Sequence, residues 1–355
     1  MADAAVRVGL MGSGSAGRLY LRQSQRDCSL CYVACADVDL DRAAALAQEY
    51  GVLRACTPEE LLRDPHVDLV VDLTPAADHG WVGLQVLAAG RHLYSEKPLA
   101  PDVRQGRRVL AAGRRRGLRV GCAPDTFLGP ALQTARRLLD SGRFGTPFAA
   151  SISLAAGQPE RWHPRPAHFY GEAAGPLFDM GPYYLTALVS LLGPIARAAG
   201  FGTVAARERR SLTGEPITPM VPSHEVGVLE FASGAVASLS VSFDAARSAA
   251  PPIEVHATGG TLRLPDPNGG DGTVASCLHG RREWVEEAPL GRGGQTRCAG
   301  IEDMAAAISE GRPHRASGEL ALHVLDAMES LRRSAATGRV VRLRTTCEQP
   351  LPLPE

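Results

Sequence analysis

Val6-Arg7-Val8-Gly9-Leu10-Met11-Gly12-Ser13-Gly14-Ser15-Ala16-Gly17 is the stretch from which the fold can be read. Its apolar half suits a short strand buried in a parallel sheet. Its second half is Gly-x-Gly-x-x-Gly, and a helical pattern begins at Arg18. Each glycine has a physical reason. The first permits a tight turn, the second lets a pyrophosphate approach the backbone, and the third lets helix and strand pack closely. The helix start then offers free N–H groups and the positive end of its dipole to the phosphates.

Glycine loops are common, so the neighbouring sequence has to support this one. A second strand over 30–36 ends at Asp37, twenty residues beyond Gly17, where a carboxylate can accept from adenosine ribose hydroxyls. It would repel a 2′-phosphate, which favours NAD over NADP. Asp37 could instead cap the helix over 40–50, a task for which Asp39 is equally placed. The alternation continues with a helix over 58–62, a strand over 68–73 broken by Thr74-Pro75, a helix over 78–89 closed by Gly90, and a strand over 92–95. That strand delivers Glu96-Lys97-Pro98. A helix over 101–116 and a strand over 119–122 follow. Residues 1–125 therefore read as a doubly wound, Rossmann-type parallel sheet, with Gly12, Ser13, Gly14, Ser15, Ala16 and Asp37 facing a dinucleotide.

Lys97 is the only lysine among 38 Lys and Arg residues. Arginine serves surface charge as well as lysine does, but its guanidinium stays protonated and cannot share a proton in catalysis. A lone lysine beyond a strand end, on the same edge as the glycine loop, is a candidate for chemistry. Pro98 restricts the backbone of Lys97 and so its aim.

The remaining composition excludes more than it suggests. Formal net charge is zero, so no nucleic acid or membrane surface is expected as partner. No secretory signal or membrane-spanning stretch is legible, which points to a cytoplasmic protein. Cys28, Cys31 and Cys35 lack a second pair at zinc spacing and read as small apolar residues beside a strand, so no metal is expected.

From 126 onward the pattern changes. After a helix over 130–139, strand-like runs at 148–154, 196–204, 225–231, 235–243, 253–257 and 261–264 are separated by hairpin signals such as Ser233-Gly234 and Gly259-Gly260. An α+β domain over 126–355 is expected, with a large, mostly antiparallel, open-faced sheet. Few helices are available to cover it, which predicts a homodimer or homotetramer joined through that sheet.

The glycine loop, Thr74-Pro75 with His79, and Glu96-Lys97-Pro98, joined to the segment 175–184 that contains Asp179, resemble the Gfo/Idh/MocA family of oxidoreductases, and the resemblance runs the length of the chain. It adds Thr74, Pro75, His79, Glu96 and Lys97 to the cofactor set, and it implies Lys97, Asp179 and Tyr183 as the catalytic group. The broad family ends its second motif, Asp-x-Gly-x-His, in histidine. Here that position is Tyr183, as in the glucose–fructose oxidoreductase and dihydrodiol dehydrogenase branch.

The expected activity is hydride transfer between nicotinamide and a hydroxyl or ketone carbon of a sugar, cyclitol or sugar derivative. Tyr183 would move the hydroxyl proton. Lys97 beside it would favour the phenolate and stabilise developing alkoxide, and Asp179 would orient substrate or lysine. Asp179 and Tyr183 are four apart, neighbours on one face if the segment is helical, with Asp179 near the helix start. The substrate is expected between the domains, with Asp125, Thr126, Trp162, His163 and His168 as its candidate contacts. Two other readings share the fold: a glycoside hydrolase that oxidises transiently with bound NAD, and a non-catalytic nucleotide-sensing regulator.

Overall fold

In the computed structural model, which describes residues 6–27, 30–290 and 297–354, six short strands form a wholly parallel sheet. They are β1 (Arg7–Met11), β2 (Cys31–Ala36), β3 (Arg54–Cys56), β4 (Leu69–Asp72), β5 (His92–Ser95) and β6 (Val120–Cys122), in the order β3-β2-β1-β4-β5-β6. Parallel neighbours need crossovers, which α1 (Ser15–Asp27), α2 (Leu40–Tyr50), α3 (Pro58–Arg63), α4 (His79–Ala88) and α5 (Val103–Arg116) supply. Every residue of β4 is buried, as a strand covered on both faces requires. Strand order reverses at β1 and β4, so the turns after these two strands open at the switch point where such sheets bind ligands.

The helices start and stop where their sequences dictate. Asp39 caps α2 by accepting from Arg42 N, and Gly51 ends that helix in the left-handed region at φ 69°. Thr57 and Glu60 form a reciprocal capping box at α3. Strand β3 was not among the expected elements: three residues, one of them arginine, carry no periodic signal.

The chain packs as two units, Met1–Thr126 with Gly294–Leu322, and Phe127–Gly293 with His323–Glu355. The segment 297–322, expected with the second domain, thus returns to the first unit. Its helix α9 (Ala299–Glu310) is tied there by Gly300 N donating to Asp125 Oδ2 at 2.9 Å. The Arg119 guanidinium donates to the carbonyls of Arg312 (2.6 Å) and Ala307 (2.9 Å).

The second unit is built on a nine-stranded sheet of order β16-β15-β14-β13-β7-β12-β11-β8-β17. Its strands are β7 (Pro147–Ala155), β8 (Ile195–Thr203), β11 (His224–Phe231), β12 (Val236–Ser242), β13 (Ile253–Ala257), β14 (Gly260–Leu264), β15 (Ala275–Leu278), β16 (Val285–Glu286) and β17 (Val341–Arg342). Only β12 with β7 runs parallel. A separate small hairpin pairs β9 (Arg209–Arg210) with β10 (Pro216–Ile217). The unit's helices are α6 (Pro130–Asp140), α7 (Pro176–Asp179), α8 (Gly181–Leu192), every residue of which is buried, and α10 (Gly318–Thr337) from His323 onward.

Alternation along the central strands sorts their residues. Ala150, Ile152 and Leu154 of β7 and Ala237, Leu239 and Val241 of β12 are buried. Their alternates form cross-strand rows, Phe201–Val226–Ser240–Ser153 and Ala199–Val228–Ser238–Ser151, in which Phe201, Val226 and Val228 are exposed. Among the described residues no helix is long and apolar enough to cross a membrane. Cys28 of the cysteine run lies outside the described residues.

Candidate active site

The turn after β1 separates glycines that the fold needs from one that it does not. Gly12 has φ 103°, and a Cβ there would lie 2.6 Å from Leu73 O. At Gly17 a Cβ would meet Gly12 O at 2.9 Å, so this glycine permits the close helix–strand approach. Gly14 is different. Its φ is not left-handed, and nothing lies within 4 Å of where a Cβ would be. Folding gives no reason for glycine at this exposed position; room for a ligand does. The next helix, α1, carries no acidic residue in its first turn, leaving its N-terminal N–H groups for an anion.

Asp37 borders this turn. Its carboxylate, 7% exposed, accepts from Ser13 N at 2.8 Å and Asp39 N at 3.0 Å. Asp39 does the capping, so Asp37 is not spent on α2. The Arg42 guanidinium stands 3.9 Å from Asp37 and 3.2 Å from Asp39. Ser15 is exposed and Ala16 half-buried.

The turn after β4 lies alongside. Thr74 donates its N–H (3.0 Å) and hydroxyl (2.6 Å) to Asp72 Oδ1, and Pro75 is exposed. His79 opens α4, buried, with its ring between the carbonyls of Thr74 and Pro98. Beyond β5, Glu96 accepts from Tyr20 Oη at 3.1 Å and from Lys97 N at 2.7 Å. Lys97 itself is half-buried, and the Lys97–Pro98 peptide is cis. Asp125 and Thr126 are buried at 2% and 1% exposure. Asp125 accepts from the N-terminus of α9, and burial pushes its carboxyl up to about 6. The structure thus gathers the expected cofactor residues at the strand ends of the first unit, and it turns Asp125 toward the return segment.

The second unit carries the other candidates. Asp179 is the last residue of α7, and Tyr183 lies in the first turn of α8, whose cap is Met180. The expected single helical face is therefore two short helices that meet at Met180, and Asp179 is not an N-cap. Pro182 sits at the start of α8, where a missing N–H costs nothing. Tyr183 is 5% exposed. Trp162, 58% exposed, sits edge-on to His163 and Phe169, with ring centroids 5.5 and 5.7 Å away. His168 lies over Phe169 at 4.1 Å, and its Nδ1 is 2.5 Å from Arg165 O. Burial holds His168 below the usual imidazole range.

Beneath this aromatic group is a charged cluster that sequence reasoning missed. The Arg209 side chain, 1% exposed, donates to Glu160 at 2.8 Å, to Tyr170 Oη at 3.2 Å and to Asp244. Its guanidinium lies 4.7 Å from the Tyr170 ring centre, and Tyr170 also donates to Glu160. Arg209 comes from a polar stretch, 207–211, with no periodicity to mark it as interior.

Residues 6–123 match the model of an oxidoreductase family with an NAD-binding Rossmann fold, and residues 132–263 match the GFO/IDH/MocA C-terminal domain. The chain belongs to the Gfo/Idh/MocA family of oxidoreductases. Among its Gfo/Idh/MocA relatives, it is 31% identical over 147 residues to 1,5-anhydro-D-fructose reductase of Ensifer adhaerens, a match covering 41% of this chain and 44% of that protein. That match therefore spans less than half of that relative's length. A longer one, 27% identical, covers 95% of the chain and 89% of D-apiose dehydrogenase of Paraburkholderia graminis. An NAD binding oxidoreductase from Klebsiella pneumoniae shares the fold with TM-score 0.86 at 23% identity, over 96% of this chain and 99% of that one.

Proposed function

We propose that this protein oxidises a secondary hydroxyl of a sugar or cyclitol, or reduces the corresponding ketone, with NAD as hydride carrier. Gly14 carries the reading. It is a glycine required by no contact of the fold, set between a tight turn and an uncontested helix start, and a pyrophosphate accounts for it. Asp37, fixed against Ser13 N, supports NAD over NADP because a 2′-phosphate would bring negative charge against a buried carboxylate. The Ensifer and Paraburkholderia relatives are by name a 1,5-anhydro-D-fructose reductase and a D-apiose dehydrogenase, which supports a sugar-type substrate.

When bound, the nicotinamide supplies the acceptor or donor of hydride. Tyr183 takes the hydroxyl proton during oxidation and returns it during reduction. Lys97 stabilises negative charge on that oxygen through its ammonium. Asp179 orients the substrate hydroxyl, and Trp162 with His163 and His168 offers an aromatic and imidazole surface to a sugar ring. In this reading the first unit binds the dinucleotide and the second the substrate. The serine- and valine-lined face of the nine-stranded sheet takes a second copy of the chain, making a homodimer or homotetramer. The described cysteines are all free, which supports a reducing, cytoplasmic setting.

A panel of polyols, aldoses and keto-sugars followed by NADH absorbance, repeated with NADP, tests the activity. Lys97→Met and Tyr183→Phe are each expected to lower kcat by about 10²–10⁴-fold, with NADH affinity retained in Tyr183→Phe. Turnover within threefold of the parent in both variants would contradict these assignments.

A further inference from the structure

His79 is 1% exposed, and each of its ring nitrogens meets a main-chain carbonyl: Nδ1 lies 2.6 Å from Pro98 O and Nε2 lies 2.8 Å from Thr74 O. A carbonyl oxygen accepts and never donates, so each contact needs an N–H on the ring. The neutral imidazole has one N–H and the imidazolium has two. A buried carboxyl stands at the end of β4. Asp72 is 0% exposed; its Oδ1 takes both donors of Thr74, and its buried Oδ2 has no hydrogen-bond partner. Burial drives the Asp72 carboxyl up, and the His79 charge and the Thr74 bonds oppose that. The other charged or titratable groups on the surrounding elements are Asp78 immediately before α4, His92 on β5 with Glu96 and Lys97 after it, and, on α5, Asp102 at its cap, Arg104, Arg107 and Arg108, with Arg114, Arg115 and Arg116 in its last turn.

We propose that His79 is held as an imidazolium by Asp72 and acts as a positioning residue that locks the Lys97 segment to the turn after β4. The positioning role rests on the function proposed above; the protonation does not. Lys97 is anchored through its main chain on both sides. Its own N–H donates to Glu96 Oε2 at 2.7 Å, and the carbonyl of the next residue, Pro98, accepts from His79. The second N–H of the same ring holds Thr74 O, at the turn that abuts the glycine turn through Leu73 and Gly12. One doubly protonated ring therefore joins the lysine segment to the cofactor-side turn. Loss of either proton frees one of them. His79 needs no contact with substrate to do this.

The full chain, labelled with ¹⁵N at histidine and assigned with His79→Gln, gives a direct test by NMR at about pH 8, above the ordinary imidazole range near 6.5. Two N–H signals from the His79 ring are expected, with one lost in Asp72→Asn. A single N–H in the parent overturns the proposal. In kinetics, His79→Gln is expected to lower kcat by about 10- to 100-fold, by a larger factor than it weakens NADH binding. A kcat within threefold of the parent overturns the positioning role. Two N–H signals in a protein that turns over no member of the polyol panel would support the charged clamp and count against the activity.

Discussion

The two sheets make their sites in different ways. In the parallel sheet of the first unit the groups proposed to hold the cofactor belong to the backbone or lie beside it: a glycine turn, a helix start, main-chain carbonyls on His79, and a carboxylate pinned to Ser13 N. Their sequence spacing is set by strand–turn–helix geometry, so it recurs and can be read. In the second unit the groups are side chains drawn from distant positions. Glu160, Tyr170, Arg209 and Asp244 meet in one buried cluster, although nothing in their spacing requires it. A site built on the main chain is legible in a sequence; one assembled from side chains is visible only in the fold.

Arg209 is where that contrast should show the largest effect. Arg209→Met would leave the buried Glu160 and the half-buried Asp244 without their shared cation. The free energy of unfolding should fall by about 3–5 kcal/mol in a denaturant titration, with NADH affinity unchanged. A loss below about 1 kcal/mol would mean that the cluster does not hold the second unit together.

Asp125 gives a smaller effect in the first unit, with a pH signature. Its carboxyl is raised to about 6 by burial, so the ionised form is disfavoured in the fold. Wild-type stability therefore falls as pH rises from the unfolded carboxylate range through about 6, and the deficit is complete above it. Asp125→Asn keeps an acceptor for Gly300 N and removes that dependence. It should be more stable than the parent by about 2–3 kcal/mol at neutral pH, with the gain gone at about pH 4. Unfolding midpoints measured across that range check it, and a variant less stable at neutral pH would contradict it.

Asp37→Ser sharpens the cofactor side of the comparison. Arg42, paired with Asp39 at 3.2 Å, would lose its buried second carboxylate, Asp37, and be able to turn to a 2′-phosphate. The ratio of NADP to NAD affinity should rise about tenfold, near 1.4 kcal/mol, in parallel titrations of the two reduced cofactors. An unchanged ratio would remove Asp37 from the discrimination.

The same contrast explains what the sequence made legible. The helix over 40–50 and the strands over 92–95 and 253–257 coincide with α2, β5 and β13 because caps and apolar alternation mark their ends. Strands β3, β15, β16 and β17 went unread, being too short or too polar for a periodic signal. The return of α9 to the first unit was also invisible, since local patterns do not say which sheet a helix rejoins. The glycine turn, Asp37, Thr74, His79, Glu96 and Lys97 lie together at strand ends of the first unit. The link from Asp125 to Gly300 and the break of α7 from α8 at Met180 needed coordinates.

The central claim is that the turn after β1 is shaped for a dinucleotide, and Gly14→Ala tests it most directly. A methyl group at this position meets nothing in the protein. The unfolding midpoint should match the parent, while calorimetric titration should show NADH binding weakened at least tenfold, about 1.4 kcal/mol. An unchanged NADH affinity in a folded Gly14→Ala protein would contradict the account.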